Sequence, residues 1–425
     1  MIKNNRILYL INKFWKKLYY GIPNYIKYII SLFMIKKNYN RVMEKINKNK
    51  PLNVVFIVQY IPAWNKLKLI YTEMQNDSRY NPIIICVPLD IQNNLGKCEQ
   101  TKNDTYEYFV KNGYSVINAL NNNEWFDLKS IEPDYVFHSR PYNQFMPKCY
   151  TSKEIRKYAL LCNVLYGASL TVAGQKVTLN KDYFNDVYCY FSFDNSEKSF
   201  YEKRFALGCK LNIQKCYPYG ATALEQILKE KKEYINNDFI KTVLWTPRWS
   251  TGSFMGGSNF FNYVNILIDL AKKNQKVLFI FRPHPLMFDN FIKTGELTAK
   301  EVRDFKSYCE RESNILLDEE KEYINIFWKS DILVTDASGI IPEYLMTNRP
   351  ILYCYSQLSA EWTDFASAII NSSYQVHNKE DLIRYIEELL SDKDEKEQER
   401  QNCIKVFFGN VKNNSSAILN VLAKS

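Results

Sequence analysis

The sequence predicts an α/β protein of two lobes, each a doubly wound parallel sheet. Three observations predict it. Short β-branched apolar runs alternate with segments of helical spacing from residue 54 onward. The alternation halts in a charged stretch at 224–238 and restarts at Thr242. A chain of 425 residues holds two domains with ample core.

In the first lobe, 54–58 reads as a buried strand, followed by helical spacing over 67–74 through Leu67, Ile70, Tyr71 and Met74. Strands are predicted at 83–87, 114–117, 134–138 and 163–166, with helices at 105–111 and 154–161. In the second lobe strands fall at 243–246, 277–281, 315–317, 332–335 and 351–355, and a helix with a clear apolar face spans 260–271. The segment 330–355, SDILVTDASGIIPEYLMTNRPILYCY, reads as one βαβ unit with a small-residue turn at 336–339 and a short helix at 340–346. The expected division is a helical segment at 1–48, lobes at 49–225 and 239–395, and a C-terminal helix at 396–425, with a cleft between the lobes.

Charge is concentrated at the N-terminus. Residues 1–50 carry 12 Lys and Arg and one acid, while the other 44 basic and 45 acidic side chains nearly cancel. This segment mixes bulky apolar and aromatic residues with Lys. Its apolar part has no uncharged run of the roughly 20 residues that span a bilayer, and it lacks a small-residue cleavage site. It reads as a basic amphipathic helix pair lying on an anionic membrane surface. The alternative is that the same apolar face packs on the body or on a second subunit, so a homo-oligomer stays open. With a neutral remainder and no nucleic-acid module, nucleic acid is not an expected partner. The ten Cys lack CxxC pairing and read as reduced thiols in a cytosolic protein. Three His argue against a multi-His metal centre, so neither metal nor cofactor is expected.

In doubly wound sheets ligands sit at the carboxyl ends of strands. Four loops of the second lobe share that address: 246–250, the glycine-rich 252–258, 282–285 and 336–339. Backbone N–H groups at the 336–339 turn, with a helix dipole behind them, suit a phosphate. His284 stands between two prolines and two residues from Arg282, which positions a donor against phosphate oxygens. Arg248 and Arg282 each follow an apolar strand and would neutralise a diphosphate. Ser338 and Gly339 belong to the turn, Glu343 is placed to accept from a ribose diol, and Asp336 reads equally as ligand or helix N-cap. In the first lobe His138 and Gly167 end strands, and His138 is the candidate general base, titrating near neutrality. A structural histidine fits that position as well.

The elements Thr246-Pro247-Arg248-Trp249, Arg282-Pro283-His284, Asp336-Ala337-Ser338 and Arg349-Pro350-Ile351 resemble the CDP-glycerol glycerophosphotransferase family of teichoic-acid and capsule-polysaccharide polymerases. The resemblance covers about 241–356 and implies a GT-B fold, peripheral attachment to the cytoplasmic face of the cell membrane, and diphosphate binding by His284, Arg282 and Ser338. It departs from the family in the first lobe. The Trp-His-Gly element that carries the family's base has no counterpart, and Leu165-Tyr166-Gly167 stands at the corresponding strand end. The spacing from Asp336 to Glu343 is also similar to the nucleotide site of UDP-GlcNAc 2-epimerases, another GT-B family. The expected activity is transfer of glycerol phosphate or ribitol phosphate from a CDP-activated donor to a hydroxyl of a surface glycan, releasing CMP. Two alternatives stay open: a glycosyltransferase using a UDP-sugar, and a non-catalytic nucleotide-sugar-binding partner of an assembly.

Overall fold

A computed structural model of the chain describes residues 2–88, 103–231, 239–252, 256–356, 361–409 and 411–424, and of residues 2–23 the backbone alone. The chain forms two compact units. The first comprises Met1–Tyr166, Leu179–Gly220 and Ser415–Ser425, and the second Gly167–Thr178 and Ala221–Asn414.

The first unit is built on seven strands: β1 (Leu52–Val58), β2 (Tyr80–Cys86), β3 (Val116–Asn118), β6 (Tyr135–His138), β7 (Leu160–Val164), β8 (Val187–Phe191) and β9 (Lys215–Tyr217), while β4 (Leu120–Asn121) and β5 (Glu124–Trp125) form a small antiparallel pair. The order is β3-β2-β1-β6-β7-β8-β9, and the ladders are parallel. The strand order reverses between β1 and β6, because the chain winds outward through β2 and β3 and then returns to the other side of β1. Strand β1 is buried on both faces. Val54, Phe56 and Val58 join one apolar cluster and Val55 and Ile57 the other. That double burial is why the segment is apolar throughout.

Residues 159–161, expected at the end of a helix, lead into and begin β7, while the helix before them is only Ser152–Ile155. Leu160–Val164 is buried along its whole length, and a short apolar run carries no periodicity to separate strand from helix. Strands β8 and β9 also went unpredicted.

The N-terminal helix Ile2–Asn47 is a single element rather than a pair. From residue 24 onward one face packs on the first unit: Leu32, Ile35 and Val42 are buried, the last two in the cluster that holds Val54 and Phe56. Two buried carboxylates anchor it. Asp134, with no side-chain exposure, pairs with Arg41 at 2.8 Å and Lys45 at 2.9 Å. Asp186 accepts from Ser31 Oγ at 2.7 Å and pairs with Arg156. Part of the N-terminal basicity is therefore neutralised within the fold. The C-terminal helix Asn414–Leu422 closes the same face through Ile418, Leu419 and Leu422.

The second unit carries six parallel strands: β10 (Lys241–Thr246), β11 (Val277–Phe281), β12 (Ile315–Leu317), β13 (Ile332–Thr335), β14 (Ile351–Cys354) and β15 (Tyr374–Val376). Their order is β12-β11-β10-β13-β14-β15, reversing between β10 and β13. The boundary stretch begins as a buried helix, Thr222–Lys229, while 232–238 lies outside the described residues. Arg400 is fully buried and pairs with Asp394, and it donates to the Asn348 carbonyl at 3.2 Å. The expected single helix over 396–425 is two, Glu397–Phe408 in the second unit and Asn414–Leu422 on the first. Among the described cysteines none is in a disulfide, and most are buried.

Candidate functional site

At the reversal point of the second sheet, the carboxyl ends of β10 and β13 lie side by side, with Thr246 opposite Thr335. The Thr246 and Thr335 hydroxyls hydrogen-bond at 2.7 Å, which ties the two strand ends together. Ligands of open α/β sheets occupy this position.

Asp336 organises the loops around it. Its carboxylate accepts from the backbone N–H of Arg248 at 2.8 Å, from that of Asn259 at 3.2 Å, and from the Asn259 side chain at 2.8 Å. It is 1% exposed, and burial pushes its carboxyl up to about 6 against those hydrogen bonds. Asp336 is thus neither a ligand nor an N-cap: both oxygens are occupied by protein donors from other loops. Asn259 was missed because no sequence signal links it to Asp336 across 77 positions.

The fixed loops bring Arg248 to the turn. Its guanidinium donates to the Ala337 carbonyl at 2.9 Å, beside half-buried Ser338 and exposed Gly339. Next to it stands His284, whose backbone N–H donates to the Pro247 carbonyl at 3.4 Å. His284 Nδ1 accepts the backbone N–H of Leu286 at 3.1 Å, so in the neutral ring the proton sits on Nε2. Burial, together with the positive charge of Arg248, pushes His284 down to about 4. At neutral pH the site therefore presents a guanidinium and a neutral N–H donor. The glycine-rich loop folds back beneath: Ser258 N–H donates to the Ser250 carbonyl at 2.8 Å, and Gly256 has φ of 84°, while 253–255 lies outside the described residues.

Arg282 does not join this group. Its guanidinium pairs with Asp318, which is 5% exposed, and donates to the Glu320 carbonyl at 2.6 Å. Its charge is thus neutralised by the loop after β12, and its role is to hold that loop. Arg349 of the Arg-Pro element likewise donates to the Ser330 carbonyl. Glu343 lies in the short helix Ile341–Leu345, 7% exposed. Gly167 sits in the half-exposed segment after β7 that groups with the second unit, and a Cβ there would meet open space.

His138 corrects the expectation of a general base. It is 1% exposed, its ring centroid lies 5.6 Å from that of Tyr183, and burial pushes it down to about 3. A neutral imidazole sealed in the core exchanges no proton with a substrate. Among the described residues no group of three or more His, Cys, Asp or Glu is placed to hold a metal ion.

Two Rossmann-like units, each with a parallel sheet whose strand order reverses, give the chain a GT-B fold. The profile of the CDP-glycerol:poly(glycerophosphate) glycerophosphotransferase family matches residues 221–423, and the chain is a glycerophosphotransferase-like transferase. No curated protein sequence matches it. Its fold is similar to that of UDP-GlcNAc 2-epimerase from Neisseria meningitidis bound to UDP-GlcNAc, at 13% identity and TM-score 0.57 over 88% of this chain and 100% of that one. It is also similar to a variant of the wall teichoic acid polymerase TagF, at 13% identity and TM-score 0.52 over 92% and 97%. At such identities the likeness is one of fold. The family match begins at Ala221, where the second unit's main segment begins, so it covers Arg248, His284 and the 336–339 turn.

Proposed function

We propose that the chain transfers glycerol phosphate or ribitol phosphate from a CDP-activated donor to a hydroxyl of a cell-surface glycan, in the synthesis of a teichoic acid or a capsule polymer. The placement of Arg248 and neutral His284 beside the turn of half-buried Ser338 and exposed Gly339 supports this reading most strongly. In the reaction the acceptor oxygen attacks the donor's distal phosphorus, the phosphoanhydride P–O bond breaks, and CMP leaves with the electron pair. The acceptor proton passes to solvent or to a base outside His138. Arg248 and the His284 Nε2–H stabilise charge on the diphosphate and on departing CMP.

Calorimetric titration with CMP, CDP-glycerol, UDP and UDP-GlcNAc tests the donor. Preference for the cytidine compounds, weakened at least tenfold in His284→Ala, is the expected result. Preference for the uridine compounds would replace this reading with a UDP-sugar glycosyltransferase. Wild-type protein that binds donor but never releases CMP with any glycan acceptor would make the chain a binding partner.

The proposal extends to a peripheral position on the cytoplasmic face of the membrane. Opposite the packed face of the N-terminal helix, Tyr25, Ile26, Ile29, Ile30 and Phe33 form an exposed stripe, Phe33 at 72% exposure. Lys27, Lys36 and Lys37 flank it. No helix among the described residues is long and apolar enough to cross a membrane, which suits a helix lying in the interface. Truncation through residue 45 would remove Leu32, Ile35 and Val42 from the core, so the sharper test is Ile29→Glu with Phe33→Glu. Sedimentation with phosphatidylglycerol vesicles is expected to fall severalfold, and unchanged sedimentation would refute the membrane role.

A further inference from the structure

The first unit has its own ligand address, at the reversal between β1 and β6. Just past the carboxyl end of β6 lies Arg140, and its surroundings are those of a binding site rather than of a structural ion pair. No carboxylate among the described residues pairs with it. Its Nη2 donates to Gln59 Oε1 at 2.5 Å, and its buried Nε has no hydrogen-bond partner. The guanidinium carbon lies 5.4 Å from the Tyr60 ring centroid and 5.0 Å from that of Phe145. Tyr142 packs on both Phe145 and Tyr166, at 5.9 and 5.8 Å between centroids, and extends the aromatic wall.

The positioning of the guanidinium is itself supported. Gln59 is fully buried, and its amide nitrogen donates to the Pro88 carbonyl at 3.1 Å and the Phe145 carbonyl at 2.6 Å. Those two bonds fix which end of the amide faces Arg140, so the oxygen must. Thr105 Oγ1 holds the Gln59 carbonyl at 3.1 Å. Burial lowers the affinity of Arg140 for its proton. A half-buried cation that meets an amide oxygen and ring faces but no carboxylate lacks full compensation for its lost hydration. An anion supplied by a ligand completes it. The planar fork matches phosphate oxygens in pairs, and the neighbouring rings pack a polyol or sugar carbon skeleton. Arg41, Lys45, Arg156, Arg282 and Arg400, by contrast, each pair with a carboxylate.

We propose that Arg140, framed by Tyr60, Tyr142, Phe145 and Tyr166 and oriented by Gln59, binds a phosphate group of the acceptor. This rests on the transferase reading and deepens it at the level of residues: poly(glycerophosphate), the acceptor in the name of the matching family, bears phosphate esters, and Arg140 is the side chain that holds one. Arg140 is a binding residue and Gln59 a positioning residue.

The test uses the full chain at low ionic strength and two calorimetric titrations, one with glycerol 3-phosphate as probe and one with CMP. Wild-type protein is expected to bind glycerol 3-phosphate, with inorganic phosphate competing. Arg140→Met is expected to lose at least tenfold in that affinity and Arg140→Lys severalfold, while CMP binding stays within twofold in both. If Arg140→Met fails to fold, shown by its circular dichroism, Arg140→Lys decides. Glycerol 3-phosphate affinity unchanged in the folded variant, or no binding of either phosphate by wild type, overturns the proposal. CMP affinity that falls together with glycerol 3-phosphate affinity also overturns it, since Arg140 would then serve the donor. Wild type that binds glycerol 3-phosphate through Arg140 but binds no CMP would instead sink the donor reading and leave this site standing.

Discussion

The titration of His284 links the geometry of the donor site to two separate measurements. An ordinary histidine titrates near 6.5. In the free protein His284 is pushed down to about 4, by burial first and by Arg248 second. The unfolded chain therefore takes up a proton between about pH 6.5 and pH 4 that the folded chain refuses. Stability then falls as the pH drops through that window and levels off below it. The gap of about 2.5 pH units corresponds to about 3 kcal/mol. His284→Gln removes the titration, so its stability should change by about 3 kcal/mol less than wild type between pH 7 and pH 4 in urea unfolding. The second measurement is direct. An anionic phosphate within about 4–6 Å of the ring raises its pKa by roughly 1–3 units. Nitrogen-15 resonances of the histidine rings, assigned with His284→Gln, report both states. Addition of saturating CMP should move the His284 midpoint upward and leave buried His138 unchanged. A midpoint near 6.5 in the free protein would refute the burial argument. A midpoint that CMP does not move would refute the placement of His284 against the phosphates.

Arg248 and Arg282 should separate cleanly. Arg248→Met should weaken CMP binding by roughly 10- to 100-fold, the loss of a charged hydrogen bond of about 1.5–3 kcal/mol. Arg282→Met leaves Asp318 buried without its partner, so thermal unfolding should show a loss of about 3 kcal/mol with CMP affinity in the folded protein little changed. Asp134→Ala strands Arg41 and Lys45 against the first unit, and should cost about 3–5 kcal/mol in denaturant unfolding, more than any exposed ion pair would. Gly220→Ala places a Cβ 2.1 Å from the Phe191 carbonyl oxygen, a backbone clash that should lower the melting temperature by several degrees.

The parallel sheets were legible because strands buried on both faces must be apolar along their length, as Val54, Val55, Phe56 and Ile57 show. The site's address was legible for a related reason: strand ends in such sheets are followed by loops, and Arg248, His284 and Ser338 stand in three of them. What could not be read was the partner of each charged group. Arg248 and Arg282 both follow an apolar strand, and nothing local distinguishes them. The difference lies in Asp318, 36 residues away, which neutralises one and not the other. Asp336 looked like a ligand for the same reason, until its oxygens met donors 77 and 88 positions upstream.

The N-terminal charge excess shows how composition misleads and still informs. Arg41 and Lys45 compensate a fully buried carboxylate, so their charge is a structural requirement and not a sign of an anionic partner. The body therefore needs the helix, and a missing helix would expose Asp134 and the apolar face around Val54 and Phe56. The same helix leaves Ile29 and Phe33 outward and exposed to solvent. An element fixed this firmly on one face can carry an apolar stripe on the other without disturbing stability. This allows outward residues to be exchanged for Glu and the membrane role to be tested apart from folding, whereas His138 admits no such test, because a residue sealed in the core cannot be altered without altering the core itself.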